Sequence, residues 1–177
     1  MLNYMELLEA PLLSLGETKS PCVTASRAML LSWRSSVVAT LVEAGADEFL
    51  KRCGLAPKLE ALQTAEAEPQ LRLSEKPGLE PLALAAAMRS FYAELFRMDG
   101  MLLPAAEGIT SPLLRVQAVQ ECAHRLAATH HHINSLVRRE DSGYKRPWAI
   151  VQQTPQEVET LLNMLPKLGG CSREGER

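Results

Sequence analysis

Residues 112–137 read PLLRVQAVQECAHRLAATHHHINSLV, and the spacing of their apolar side chains decides the fold class. Val116, Val119, Ala123, Leu126, His130, Ile133 and Val137 recur at steps of three and four. Those steps bring side chains to one side of a helix with 3.6 residues per turn. Ser111 stands before Pro112, a hydroxyl for the N-cap and a proline at the first helical position, where no N–H is needed. The stretch therefore predicts one long amphipathic helix.

The same rule extends in both directions. Between 79 and 98, Leu84, Met88, Phe91, Tyr92 and Leu95 share a face. Between 21 and 53 the stripe starts as Leu30, Trp33, Val37 and Leu41 and continues as Val38, Val42, Gly45 and Phe49. A drifting stripe predicts packing against more than one neighbour. Val158, Leu161, Leu162 and Leu165 define a helix over 155–165, and Leu59 and Leu62 a shorter one over 56–64. Trp33, Phe91 and Leu126 are assigned to the core.

Ser20-Pro21 and Thr154-Pro155 repeat the start signal, and Thr154 with Glu157 has the spacing of a capping box, two reciprocal side-chain-to-backbone bonds. Gly16, Gly54, Gly100 and Gly143 follow helical runs, as C′ glycines do. Loops are expected at 16–19, 65–78, 99–110 and 138–153. The second carries Glu66, Glu68, Pro69, Glu75, Lys76 and Pro77 and is read as mobile. The expected organisation is a single helical domain over 1–165 followed by a disordered tail over 166–177.

Composition supports helix and narrows function. Only 5% of residues are aromatic, which disfavours strands, while 46% hydrophobic and 23% charged residues match an ordered globular chain. A net charge of −2 supplies no bulk attraction to nucleic acid. The apolar start, 1–15, is interrupted by Glu6, Glu9 and Pro11 and has no basic region before it, so it does not read as a secretory signal. No run approaches the roughly 18 apolar residues of a membrane span. Cys22, Cys53, Cys122 and Cys171 form no CxxC pair and are expected to be reduced thiols.

Candidate chemistry is sparse. His124, His130, His131 and His132 lie on one helix with Glu121 and Cys122, yet no two histidines are three or four apart, the spacing a helix needs to chelate. No metal or other cofactor is expected. His130 falls on the apolar stripe and is read as a hydrogen-bonded core or boundary residue. No GxSxG, GxGxxG, P-loop, HExxH or EF-hand pattern occurs. A bundle-borne active site using His124 and Cys122 is the enzymatic alternative. One stretch is chemically distinctive: Arg138, Arg139, Tyr144, Lys145, Arg146 and Trp148 gather basic and aromatic groups, diluted by Glu140 and Asp141. It is either a solvated loop or a contact for an acidic partner or an anionic surface.

Leu82-Ala83-Leu84-Ala85-Ala86-Ala87-Met88, Phe91 and Leu102-Leu103-Pro104 lead into the long helix to Val137. Tyr144-Lys145-Arg146-Pro147, Ile150 and the closing motif Thr154, Pro155, Glu157, Val158, Leu161 and Leu162 follow. Together these residues resemble the C-terminus of subunit six of the conserved oligomeric Golgi complex. The stretch 41–55, with its Cys53-Gly54-Leu55 break, is similar as well, and the likeness extends from the start to Leu162.

The resemblance implies a non-enzymatic subunit that tethers retrograde vesicles at Golgi cisternae, peripheral on the cytosolic face of the membrane. Its implied partners are other subunits of the complex, SNAREs, Rabs and coiled-coil tethers, with membrane association indirect through them. The implied fold is all-α, an antiparallel bundle of about five or six helices, the terminal module of a CATCHR-like tethering rod. Against that family the chain lacks the long N-terminal portion with its coiled coil. It therefore reads as a fragment or a truncated gene model with an exposed apolar face on its first helix. A stand-alone helical adaptor outside Golgi traffic is the other reading the same helices permit.

Overall fold

In a computed structural model of the chain, residues 21–67, 72–97 and 102–168 are described, together with the single positions 3, 7 and 11. The described residues form five helices: α1 Pro21–Arg52, α2 Ala56–Ala67, α3 Pro81–Arg97, α4 Pro112–Arg138 and α5 Pro155–Leu168. Short 3-10 turns at Leu73–Glu75, Pro104–Gly108 and Glu140–Ser142 and a single helical turn at Pro147–Ile150 join them. No strand occurs among the described residues. The architecture is an all-α bundle in which α4 is the central element, packed on α1 and α5.

The helix ends have local causes. Gly54 is left-handed (φ 69°) after α1. Its N–H donates to the Lys51 carbonyl and the Leu55 N–H to the Leu50 carbonyl, the paired bonds of a Schellman stop. Ser111 caps α4 by accepting from the Leu114 N–H at 3.4 Å. At α5 the Thr154 N–H donates to the Glu157 carboxylate at 2.7 Å while the Glu157 N–H donates to the Thr154 hydroxyl at 3.3 Å. Backbone and side-chain bonds from Thr154 hold the Glu157 carboxyl below its usual range.

The core centres on rings from three helices. Phe49 of α1 meets Phe91 of α3 edge-on at 5.5 Å between centroids, and Phe91 stacks on the His130 ring of α4 at 5.9 Å. Leu84, Met88, Leu126, Ile133, Val158 and Leu162 fill the space around them. Part of the stretch read as the loop 99–110 belongs to this core: Leu102, Leu103, Ala106 and Ile109 are buried. Leu103 lies so close to Gly45 of α1 that a Cβ there would overlap its side chain.

Four readings need correction. Trp33 is 57% exposed and not a core residue. From Cys22 to Val37 no described side chain of α1 is buried, and Val38 is the first that is. Val116 is exposed as well, because at its start α4 turns Leu114, Ala118 and Cys122 inward. Steps of four on a straight helix rotate away from a seven-residue repeat. Within 65–78, residues 65–67 complete α2, and Leu73 is buried in a 3-10 turn. The 138–153 stretch likewise holds a 3-10 turn and a helical turn.

Gly16, Ser20, Gly100, Cys171, the Leu165 side chain and residues 169–177 of the proposed tail lie outside the described residues, as does most of the first-helix region 1–15, whereas residues 166–168 of that tail are helical and complete α5. Asn3, Leu7 and Pro11 carry helical backbone. The Asn3 side chain donates to the Gly108 carbonyl at 3.1 Å and accepts from the Thr110 N–H and hydroxyl.

Candidate functional site

Two surfaces stand out, and the first grows from the C-terminus of α4. The chain leaves the helix at Arg139, turns through Glu140–Ser142, and reverses at Gly143 (φ 81°). Buried Ser142 donates its hydroxyl to the Val137 carbonyl at 3.0 Å. A Cβ at Gly143 would overlap the Ser74 hydroxyl and lie 3.0 Å from Arg72 Cβ, so the 3-10 turn at 73–75 rests directly on this glycine. Tyr144 then enters the core and donates its hydroxyl to the Leu79 carbonyl at 2.7 Å. Burial, with some help from the Glu80 charge, pushes that phenol up to about 12.

These anchors divide the basic and aromatic residues read from the sequence. Tyr144 is a buried structural residue. The Arg138 guanidinium donates to Asn134 Oδ1 at 2.7 Å. Arg139 holds both oxygens of Asp141, at 3.0 and 2.6 Å, and this pairing lowers the Asp141 carboxyl and raises the guanidinium. Lys145, Arg146 and Trp148 remain exposed, with the Trp148 ring 64% accessible. They are carried on a firm base, since Ile150 and Val151 just beyond are buried and the 147–150 turn packs on α3.

That same helix presents an outward face missed in the sequence reading. Leu82, Arg89 and Phe96 are seven residues apart and all exposed, the two apolar ones at 83% and 63%. The signal was legible: residue 82 lies roughly opposite the Leu84–Met88–Phe91–Leu95 stripe at 100° per residue.

The second surface is the outer half of α1, where Met29 and Trp33 are each 57% exposed and Leu31 is also open to solvent. The 22–37 stretch spans roughly 24 Å at 1.5 Å per residue.

The histidines do not converge. His130 is buried and hydrogen-bonded through Nε2 to the Tyr92 hydroxyl at 3.0 Å, while its Nδ1 is buried with no partner. Burial, reinforced by the His131 charge, lowers its pKa to about 4, so at neutral pH the ring is uncharged. His132 lies 3.5 Å from Glu66 of α2, and His124 and His131 are exposed. Cys122 is fully buried with its thiol pushed up to about 11, whereas His124, two positions on, faces solvent. The pair proposed for a bundle-borne active site therefore does not meet. Cys53 is buried too, and burial with the Glu94 charge pushes its thiol to about 12.

A groove of about 590 Å³ between α1, α2 and α4 is lined by Asp47, Lys51, Glu60, Arg125 and His132 among others. Its Arg125 is already bound to Glu43 at 3.1 Å. Among the described residues no group of three His, Cys, Asp or Glu is placed to hold a metal ion. None of the described helices is long and apolar enough to cross a membrane.

Residues 1–162 match the family described as Conserved Oligomeric Golgi complex subunit 6, C-terminal. The chain belongs to this family. Relatives named Conserved oligomeric Golgi complex subunit 6 include those of Arabidopsis thaliana and Homo sapiens, each 29% identical over 124 residues, and of Rattus norvegicus, 27% identical over the same length. Each alignment takes in 70% of this chain but only 18% or 19% of the relative, so the chain spans under a fifth of the length of these subunit 6 proteins. No solved structure matches the chain. The subunit 6 match runs through both surfaces described above, the outer half of α1 and the 145–148 edge, and ends within α5 at Leu162.

Proposed function

We propose that this chain is a non-enzymatic subunit of the conserved oligomeric Golgi complex, acting in retrograde intra-Golgi vesicle tethering through protein–protein contacts on the cytosolic face of the Golgi membrane. Family membership supports the complex. The observation that carries the contact is the outer half of α1, sixteen residues from Cys22 to Val37 with no buried side chain and with Met29 and Trp33 open.

Half of the 32-residue α1 is thus left without a buried side chain, although helices in proteins draw most of their stability from packing an apolar face. Exposed Trp and Met on it are the residue types enriched at the centres of protein interfaces. The occupant we assign is an apolar-striped helix of another subunit of the complex. The relatives are about five times longer than the matched region, so a subunit 6 protein carries much more polypeptide than the helices described here. SNAREs, Rab proteins and coiled-coil tethers belong to the same proposal as partners of the assembled complex.

The test is reconstitution of the chain with the purified remaining subunits. Wild type should co-elute with at least one of them, and Met29→Glu with Trp33→Glu should abolish co-elution while leaving the circular dichroism spectrum unchanged. Absence of any co-elution, or co-elution indifferent to both substitutions, would refute the reading.

A further inference from the structure

The open edge formed by the 145–148 turn and the outer face of α3 has a chemistry of its own. Tyr144, bonded to the Leu79 carbonyl, pins the turn to the segment that leads into α3, and the 147–150 turn packs on that helix. Lys145, Arg146 and Trp148 therefore project near the end of α3 that bears Leu82. Leu82, Arg89 and Phe96 continue along one face for about 21 Å, fourteen residues at 1.5 Å each. Between them Ala86 and Ala93 are small and exposed, so the stripe carries apolar groups and a cation but no carboxylate.

Two of the acidic neighbours are paired with cations, Glu94 with Arg97 at 3.4 Å and Asp141 with Arg139. Glu80, which accepts from the Gly78 N–H at 3.1 Å, and exposed Glu140 are the carboxylates set against Lys145, Arg146 and Arg89. The cations flank a band of well-spaced large apolar side chains, Leu82, Phe96 and Trp148.

We infer that this edge, through Leu82, Arg89, Phe96, Lys145, Arg146 and Trp148, rests directly on an anionic phospholipid surface. An acidic protein segment would satisfy the cations, but Leu82, Phe96 and Trp148 are spread along the surface instead of lining a pocket. A headgroup layer accepts such groups individually, Trp at the level of the polar heads and Lys and Arg against the phosphates. Each basic residue near such a membrane contributes a several-fold gain in partitioning, so the loss of three should weaken it by on the order of a hundredfold at low salt. The inference goes beyond subunit assembly and is independent of α1.

The experiment is flotation of the full 177-residue chain with vesicles of phosphatidylcholine alone and with 3:7 phosphatidylserine:phosphatidylcholine. A soluble poly-glutamate peptide serves as the protein-like competitor. Wild type should float with the anionic vesicles only, and Arg89→Glu/Lys145→Glu/Arg146→Glu should lose this. Leu82→Ser/Phe96→Ser/Trp148→Ser should weaken it at least about tenfold without altering charge. In a Trp33→Phe background the Trp148 emission should shift to the blue on binding. All substituted side chains are exposed, and unchanged circular dichroism verifies folding. No flotation, flotation indifferent to either triple variant, or poly-glutamate binding that needs the cations but not the apolar residues would overturn the inference.

Discussion

His130 brings a polar ring into the aromatic core, and its protonation opposes folding. In the folded chain its pKa is about 4 and in the unfolded chain close to the ordinary 6.5. The unfolded state therefore takes up the proton first. The stabilisation from keeping this ring neutral is complete above about pH 6.5, declines as pH falls toward 4, and is then exhausted, a span of about 3 kcal/mol. Urea titrations at pH 7 and pH 5 should show the loss, and His130→Phe should flatten that part of the profile. Tyr92→Phe removes the hydroxyl that satisfies Nε2 and should cost about 1–3 kcal/mol. Gly143→Ala adds a strained left-handed conformation to the overlap with Ser74 and should cost at least about 2 kcal/mol by the same measurement.

Among the elements, α5 offers the cleanest test of a terminus. Thr154→Ala deletes the hydroxyl half of the capping box and should lower stability by about 1 kcal/mol, with the change largest in hydrogen exchange over 157–160. The helices themselves were legible because their apolar stripes and proline-marked starts reflect short-range physics. The 79–98 and 112–137 readings fall within a residue or two of α3 and α4. His130 was legible as a core or boundary residue from its place in the stripe. What periodicity could not supply is which side of a helix has a neighbour. Trp33 shares a stripe with Val37 and Leu41, yet among the described residues burial starts only at Val38, and the side chains before it are at most half-buried. The basic and aromatic cluster was visible as composition. Its division into an inward Tyr144 and outward Lys145, Arg146 and Trp148 depends on a long-range bond to Leu79 that no local pattern encodes.

At the scale of the molecule, α4 ties α1, α3 and α5 into one core, and the described residues outside it include two apolar-bearing surfaces. One is the first half of α1, the other the edge around Trp148. The central claim is that the core stops at Val38 and that the preceding turns of α1 are an interface for another subunit of the Golgi complex. Hydrogen exchange on the chain alone and after assembly with the other subunits tests it most directly. Amides of 24–37 should exchange quickly in the free chain and become protected on assembly, while those of 42–52 stay slow throughout. Slow exchange over 24–37 in the free chain, or no change on assembly, would contradict the account.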